Sequence, residues 1–198
     1  ANEKNAFLWW KEIFKESVGN IAEPGTMDRM FEACFEEYAR GDLWGVYPDV
    51  RQSLDALREK GFRLVVLSNW DNRLLKTLAE LKLDSFFERI YISTQIGFAK
   101  PSPGAFLHIL NDLGIPAGEM LHVGDSLLED IEGARQSRVR PVCIDRRGKH
   151  PSVPPGVPVI SSLAELLQNH SMIPDRAAVN PITPEAYTND QLSRSYKK

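Results

Sequence analysis

The chain has 198 residues, 42% apolar and 26% charged, and its 24 Lys and Arg against 27 Asp and Glu leave a formal net charge of −3. That length allows one full domain, or one domain with a small satellite, and argues against two large ones. A near-neutral balance without a dense basic block gives nucleic acid or an anionic membrane no electrostatic footing. Apolar runs of four or five residues, such as 64–67, are far short of the roughly 20 that span a bilayer.

In chain order, Phe7, Trp10 and Phe14 recur at helical spacing and predict an amphipathic helix over 5–18. A second runs from Thr26, read as an N-cap, through Met27, Met30, Phe31, Cys34, Phe35 and Tyr38 to Gly41. The segment Gly41 to Pro48 is a Gly- and Pro-punctuated joint, after which helices and short apolar runs alternate. Helices are predicted over 48–60, 72–83, 103–113, 127–136 and 163–168, and strands over 62–67, 89–93, 120–123 and 141–144. The strands are apolar on successive residues, as strands covered on both faces are, and their alternation with helices predicts a doubly wound parallel sheet. Pro151 to Pro158 reads as loop and 173–198, without apolar periodicity, as a flexible tail.

Only Cys34 and Cys143 are present, with no CxxC, and the charged Ala-Asn-Glu-Lys-Asn opening is neither a signal nor a transit peptide. The expectation is a cytoplasmic protein with two free, buried thiols. An opening on Ala1 instead of Met suggests a piece of a longer polypeptide.

Ligands of open parallel sheets gather beyond the carboxyl ends of the strands, where loops and helix N-termini converge. Three polar clusters fall there. Ser68 and Asn69 offer a hydroxyl, an amide and backbone N–H groups suited to a phosphate oxygen, though taken alone the pair reads better as a plain N-cap and turn. Lys100, in Gly-Phe-Ala-Lys-Pro-Ser-Pro, is either a point charge for phosphate or a solvated loop lysine. In His-Val-Gly-Asp-Ser-Leu-Leu-Glu-Asp, Asp125 and Asp130 stand about one helical turn apart. They suit a hard divalent cation such as Mg²⁺, the alternative being a capping Asp with a solvent-facing Asp130. His108, His122, His150 and His170 show no metal-ligand spacing and read as non-catalytic. Trp9, Trp10 and Phe14 read as helical core, Cys143 as packing, and Arg146, Arg147 and Lys149 as a solvated loop.

The set and its order, LVVLSNWD, then IGFAKPSPGAF, then LHVGDSLLEDIEGAR, resembles the second, third and fourth motifs of the haloacid dehalogenase (HAD) superfamily, over roughly residues 6–170. The similarity is to the subgroup whose helical cap precedes the second motif. It implies an α/β fold with a Rossmann-like parallel sheet, helices on both faces, and a partial helical cap. The expected division is cap 1–45, core 46–172 and tail 173–198. It also implies a Mg²⁺-dependent phosphatase of a small phosphorylated metabolite acting through a phosphoaspartate. By that resemblance Ser68 and Asn69 bind the phosphoryl group, Lys100 neutralises its charge, and Asp125 and Asp130 hold the metal. A dehalogenase or phosphomutase of the superfamily is the alternative, as is a non-catalytic remnant binding phosphate or a partner protein. A response-regulator receiver does not fit, because there the lysine follows the phosphoacceptor and here Lys100 precedes Asp125.

One departure is large. Members of the superfamily open with an apolar strand ending in Asp-x-Asp-x-Thr, and no such segment occurs in this sequence; Asp71, Asp125 and Asp145 follow strands but lack the motif. The chain as it stands is therefore expected to be inactive. By the resemblance the missing strand is central, so a segment of a longer chain, or a partner chain, is expected to complete the sheet.

Overall fold

The structure is a computed structural model that describes residues 2–19, 23–169 and 172. The expected tail 173–198 and His170 lie outside the described residues. No helix among the described residues is long and apolar enough to cross a membrane.

Helix α1 (Glu3–Val18) is capped by Asn2, whose side chain accepts from the Asn5 N–H at 2.9 Å. Its Phe7 and Phe14 pack on Phe31 of α2 (Pro24–Glu37), with ring centroids 5.0 and 5.7 Å apart. Thr26 is not the cap of α2. The helix starts two residues earlier at Pro24, where a residue without an N–H and with φ already near helical values fits the first turn. Trp9, expected in the core, is 58% exposed, and Cys34 is exposed while Cys143 is buried.

A short 3₁₀ turn (Gly41–Leu43) leads to α3 (Val50–Glu59). The joint is pinned to α4 (Arg73–Glu80): the Gly41 N–H donates to Glu80 at 2.6 Å and the Thr77 hydroxyl to the Ala39 carbonyl at 2.9 Å. Arg73 completes the tie. It pairs with the buried Asp71 at 2.7 Å, donates to the Phe35 carbonyl at 2.6 Å and stacks 3.3 Å over the Phe35 ring.

The strands are β1 (Val65–Ser68), β2 (Arg89–Ile92), β3 (Leu121–Gly124), β4 (Arg140–Ile144) and β5 (Val159–Ile160), all paired in parallel. The last, two residues long, is too short to leave a sequence signal. The sheet is in two pieces. β1 pairs with β2, and β3 with β4 and β4 with β5, so β1 and β3 each keep one unpaired edge among the described residues. All four residues of β1 are only half-buried, against the sequence expectation of a strand covered on both faces. The reason is the open edge: a strand with one neighbour leaves its flank accessible.

The core lies against α6 (Pro103–Leu113), whose Phe106 and Ile109 are wholly buried with Tyr91, Met120 and Val139 around them. A smaller cluster joins Val142, Ile160 and Leu166 under α8 (Ala164–Gln168). Arg146, expected in a solvated loop, instead meets Asp49 through two hydrogen bonds of 2.9 and 3.1 Å. The same carboxylate accepts from the Ser162 hydroxyl and the Leu163 N–H. Burial alone would raise the Asp49 pKa, but the Arg146 and Ser162 hydrogen bonds hold it at about 2. A depressed folded pKa contributes stability that is present above the unfolded value, near 3.8, and lost as pH falls towards 2. Asp49→Ala is expected to cost about 2 kcal/mol at neutral pH, measured by urea denaturation, with the difference from the unsubstituted chain shrinking in acid.

Candidate active site

The predicted site residues stand at the carboxyl ends of β1 and β3 and in the loop after α5 (Ser93–Ile96), on either side of the break in the sheet. Ser68 ends β1, half-buried, and its hydroxyl has no hydrogen bond among the described residues. The next helix begins only at Arg73, and its first turn is served by Asp71, which accepts from the Arg73 N–H at 3.1 Å. The expectation that Ser68 and Asn69 open a helix is thus corrected: the Trp70-Asp71-Asn72 loop intervenes.

Asn69 spends both ends of its carboxamide on one residue. Its Nδ2 donates to the Lys100 carbonyl at 2.8 Å and its Oδ1 accepts from the Lys100 N–H at 2.7 Å. This reciprocal pair fixes the Lys100 backbone against the end of β1. The Lys100 ammonium, 11% exposed, reaches Asp130 Oδ1 at 2.6 Å. It is a paired cation held over the break, not a solvated loop lysine.

Asp130 owes its position to an unusual turn. Residues Leu127–Glu132 form a π-helical segment before α7 (Gly133–Gln136), and the Ser126 carbonyl accepts from both the Asp130 and Ile131 N–H groups at 3.0 and 3.1 Å. Such widened turns re-aim a side chain and recur at functional sites. The Asp130 carboxylate points inward, 3% exposed. Gly124 makes room for it, since a Cβ there would stand 2.1 Å from Asp130 Cγ. Gly133 lets the following turn approach the Pro101 backbone, where a Cβ would come within 3.0 Å.

Three donors converge on Asp130. Lys100 Nζ and His122 Nε2 share Oδ1 at 2.6 and 2.9 Å, and the Ser126 N–H reaches Oδ2 at 2.9 Å. Burial would raise the pKa of this carboxyl; the His122 hydrogen bond, the Lys100 charge and the Ser126 N–H together hold it well below the usual carboxylate range. Asp125 is the opposite case, exposed and with a carboxylate free of hydrogen bonds among the described residues. Its carbonyl accepts from His150 Nε2 at 2.7 Å, and the loop carrying His150 is bound through backbone N–H groups to Asp145.

His122 and His150, read from the sequence as non-catalytic, therefore touch the two carboxylates or their backbone. His122 carries a legible signal: in a strand, residues two apart share a face, so it points the same way as the space Gly124 leaves for Asp130. His150 has none, because a long-range loop contact brings it in. Beside the site, Trp70 follows Asn69 and packs against Trp44 and Tyr38 at 5.3 and 6.1 Å, bringing the aromatic face of α2 and the joint next to the end of β1.

Among the described residues no group of three or more side chains forms a ready metal cage. Mg²⁺ does not require one, since it takes one or two carboxylates and completes its shell with water and substrate oxygens. A carboxylate has about four acceptor positions; on Asp130 three are used and one remains, while Asp125 is uncommitted. The donor set fits a partial Mg²⁺ site.

The parallel α/β core thus carries an ammonium, a hydroxyl without a hydrogen bond among the described residues and two acids on loops that follow its strands. The chain belongs to the haloacid dehalogenase-like hydrolases, whose family model matches residues 3–138. It is 27% identical over 149 residues to haloacid dehalogenase-like hydrolase domain-containing protein 3 of Xenopus laevis, covering 74% of this chain and 59% of that protein. It is 39% identical over 110 residues to glyceraldehyde 3-phosphate phosphatase of Methanopyrus kandleri, covering 55% and 47%. The chain thus spans about half to three-fifths of the length of these curated relatives. The crystal structure of a HAD phosphatase from Thermococcus onnurineus superposes with a TM-score of 0.63 at 25% identity, over 83% of this chain and 78% of that one.

Proposed function

We propose that this chain forms part of a Mg²⁺-dependent phosphatase for a small phosphorylated metabolite in the cytoplasm, with 1–45 as part of a cap and 46–172 as the core. The observation that carries the reading is the Asn69–Lys100–Asp130 relay across the break between β1 and β3. In the proposal this relay, the uncommitted Ser68 hydroxyl and the two acids serve one phosphoryl group. In this reading Ser68 donates to a phosphoryl oxygen, Lys100 offsets the negative charge that the phosphoryl group carries, and Asn69 keeps Lys100 in place. Asp125 and the last acceptor position of Asp130 hold Mg²⁺, which when bound screens the phosphoryl oxygens.

The nucleophile comes from elsewhere. A parallel strand seated between β1 and β3, from another segment of a longer chain or from a partner, would bring an aspartate to the same rim. Its carboxylate oxygen would attack phosphorus as the P–O ester bond breaks, and the departing alkoxide would take its proton from the second aspartate of the same Asp-x-Asp-x-Thr segment, which would regain one from the water of the next step. Water would then cleave the acyl phosphate to regenerate the carboxylate and release phosphate. The phosphatase names of relatives such as the Methanopyrus protein support phosphate esters over haloacids. The absence of Asp-x-Asp-x-Thr from these 198 residues favours a second reading, a non-catalytic domain that binds phosphate or a protein through the same crevice.

The test extends the chain at its amino end by a flexible linker and an apolar strand ending in Asp-x-Asp-x-Thr, and assays p-nitrophenyl phosphate with and without Mg²⁺. The phosphatase reading expects turnover only in the extended protein with Mg²⁺, abolished by Lys100→Ala. An extended protein that folds and binds Mg²⁺ yet releases no nitrophenol supports the binding domain instead.

A further inference from the structure

We infer that His122 is a positioning residue of this site: its imidazole and the Lys100 ammonium divide one oxygen of Asp130, and the imidazole thereby fixes both the lysine and the acceptor position left on the other oxygen. The inference rests on the phosphatase reading only for the metal that Asp130 serves.

Oδ1 has two acceptor positions, and Lys100 Nζ at 2.6 Å and His122 Nε2 at 2.9 Å fill both. Oδ2 takes the Ser126 N–H at 2.9 Å and keeps one position. An ionised carboxylate accepts and does not donate, so Nε2 of His122 carries the hydrogen. The ring is not free to turn away. It is 8% exposed on β3 and stands edge-on to the wholly buried Phe106, with centroids 5.1 Å apart at 86°. The carboxylate is equally confined, pressed against the Gly124 backbone where even a Cβ would stand 2.1 Å from Cγ.

Without the imidazole, Oδ1 has one side-chain donor, and the tilt of the carboxylate with Lys100 is limited only by the Ser126 N–H on the other oxygen and by packing on Gly124. With it, the carboxylate plane is held from two directions. Partners that orient a metal-binding group characteristically change metal affinity 10- to 100-fold when removed.

Two substitutions separate the donor from the ring. The glutamine amide places an N–H near Nε2, so His122→Gln preserves the hydrogen bond; His122→Phe keeps a ring against Phe106 and removes it. His122→Leu repeats the removal with a smaller side chain should the second ring displace Phe106. Mg²⁺ binding by the 198-residue chain is measured by titration calorimetry, and the Lys100 side chain is followed by its ¹³Cε resonance in metal-free protein. His122→Phe or His122→Leu is expected to weaken Mg²⁺ about tenfold or more and to displace the Lys100 signal. His122→Gln is expected to stay within about threefold and to leave that signal in place, a smaller change than the loss of an orienting partner gives. Unchanged affinity and an unmoved Lys100 signal in the apolar variants would overturn the inference, as would glutamine failing as badly as phenylalanine. If the unsubstituted chain takes up no Mg²⁺, the metal part of the phosphatase reading fails. The Lys100 signal then decides the role of His122 alone.

Discussion

Asp130→Ala is expected to destabilise the fold by about 3–5 kcal/mol, the cost of breaking a buried ion pair from one side. The cause is what the substitution leaves behind. Lys100 and His122, 11% and 9% exposed at their side chains, lose their shared acceptor, and the Ser126 N–H loses its own. A buried ammonium without a partner is the dominant part of that cost. Urea denaturation at neutral pH measures it, and Asp130→Asn, which keeps shape and one acceptor oxygen, is expected to fall between the two. Acid gives an independent reading. The folded pKa of Asp130 lies below its ordinary value of 3.8, so its contribution is fully present above about pH 4 and is lost as pH falls below that. The alanine variant is expected to lack this component of acid sensitivity. A loss under about 1 kcal/mol, smaller than a typical neutral hydrogen bond, would mean the three donors do not depend on Asp130.

The second large effect concerns the break in the sheet. β1 and β3 each present an unpaired edge among the described residues, and β1 is half-buried along its whole length. A strand of about five residues set between them would add several ladder hydrogen bonds at about 1 kcal/mol each. It would also bury about three side chains at roughly 1.5 to 3 kcal/mol apiece. That gain is comparable with the roughly 5–15 kcal/mol that stabilises a typical domain. The 198-residue chain by itself is therefore expected to melt early and over a broad range, and to bind a hydrophobic dye. The version extended by an apolar strand is expected to melt cooperatively at higher temperature and to lose the dye. A sharp, high-temperature transition of the unextended chain would show that the open edges are not a weakness.

How much of this could be read from residues alone differs by level. The order of helices and strands follows from local periodicity, as in the helix predicted over 103–113 and found over Pro103–Leu113. Element ends moved wherever a cap decided them, as at Pro24, or where a short turn intervened, as between Asn69 and Arg73. Ser68, Asn69, Lys100, Asp125 and Asp130 were nominated by their place beyond strand ends, which is a property of chain order. What they touch was not legible. That Asn69 clamps the Lys100 backbone, that Lys100 meets an inward-turned Asp130, and that Arg146 closes on Asp49 are contacts between residues 31, 30 and 97 positions apart. Only the folded chain brings such pairs within reach. Gly124 stood between the two, a turn signal in the sequence whose real service is the space it leaves for a carboxylate.

Whether the three loops make one site is read by amide NMR on the 198-residue chain titrated with Mg²⁺ and inorganic phosphate together. Saturable shifts centred on residues 68–69, 99–100 and 122–130, and lost in Asp125→Ala, are the predicted result. Shifts confined to one loop, or spread over α1 and α2 and unaffected by that substitution, would contradict it.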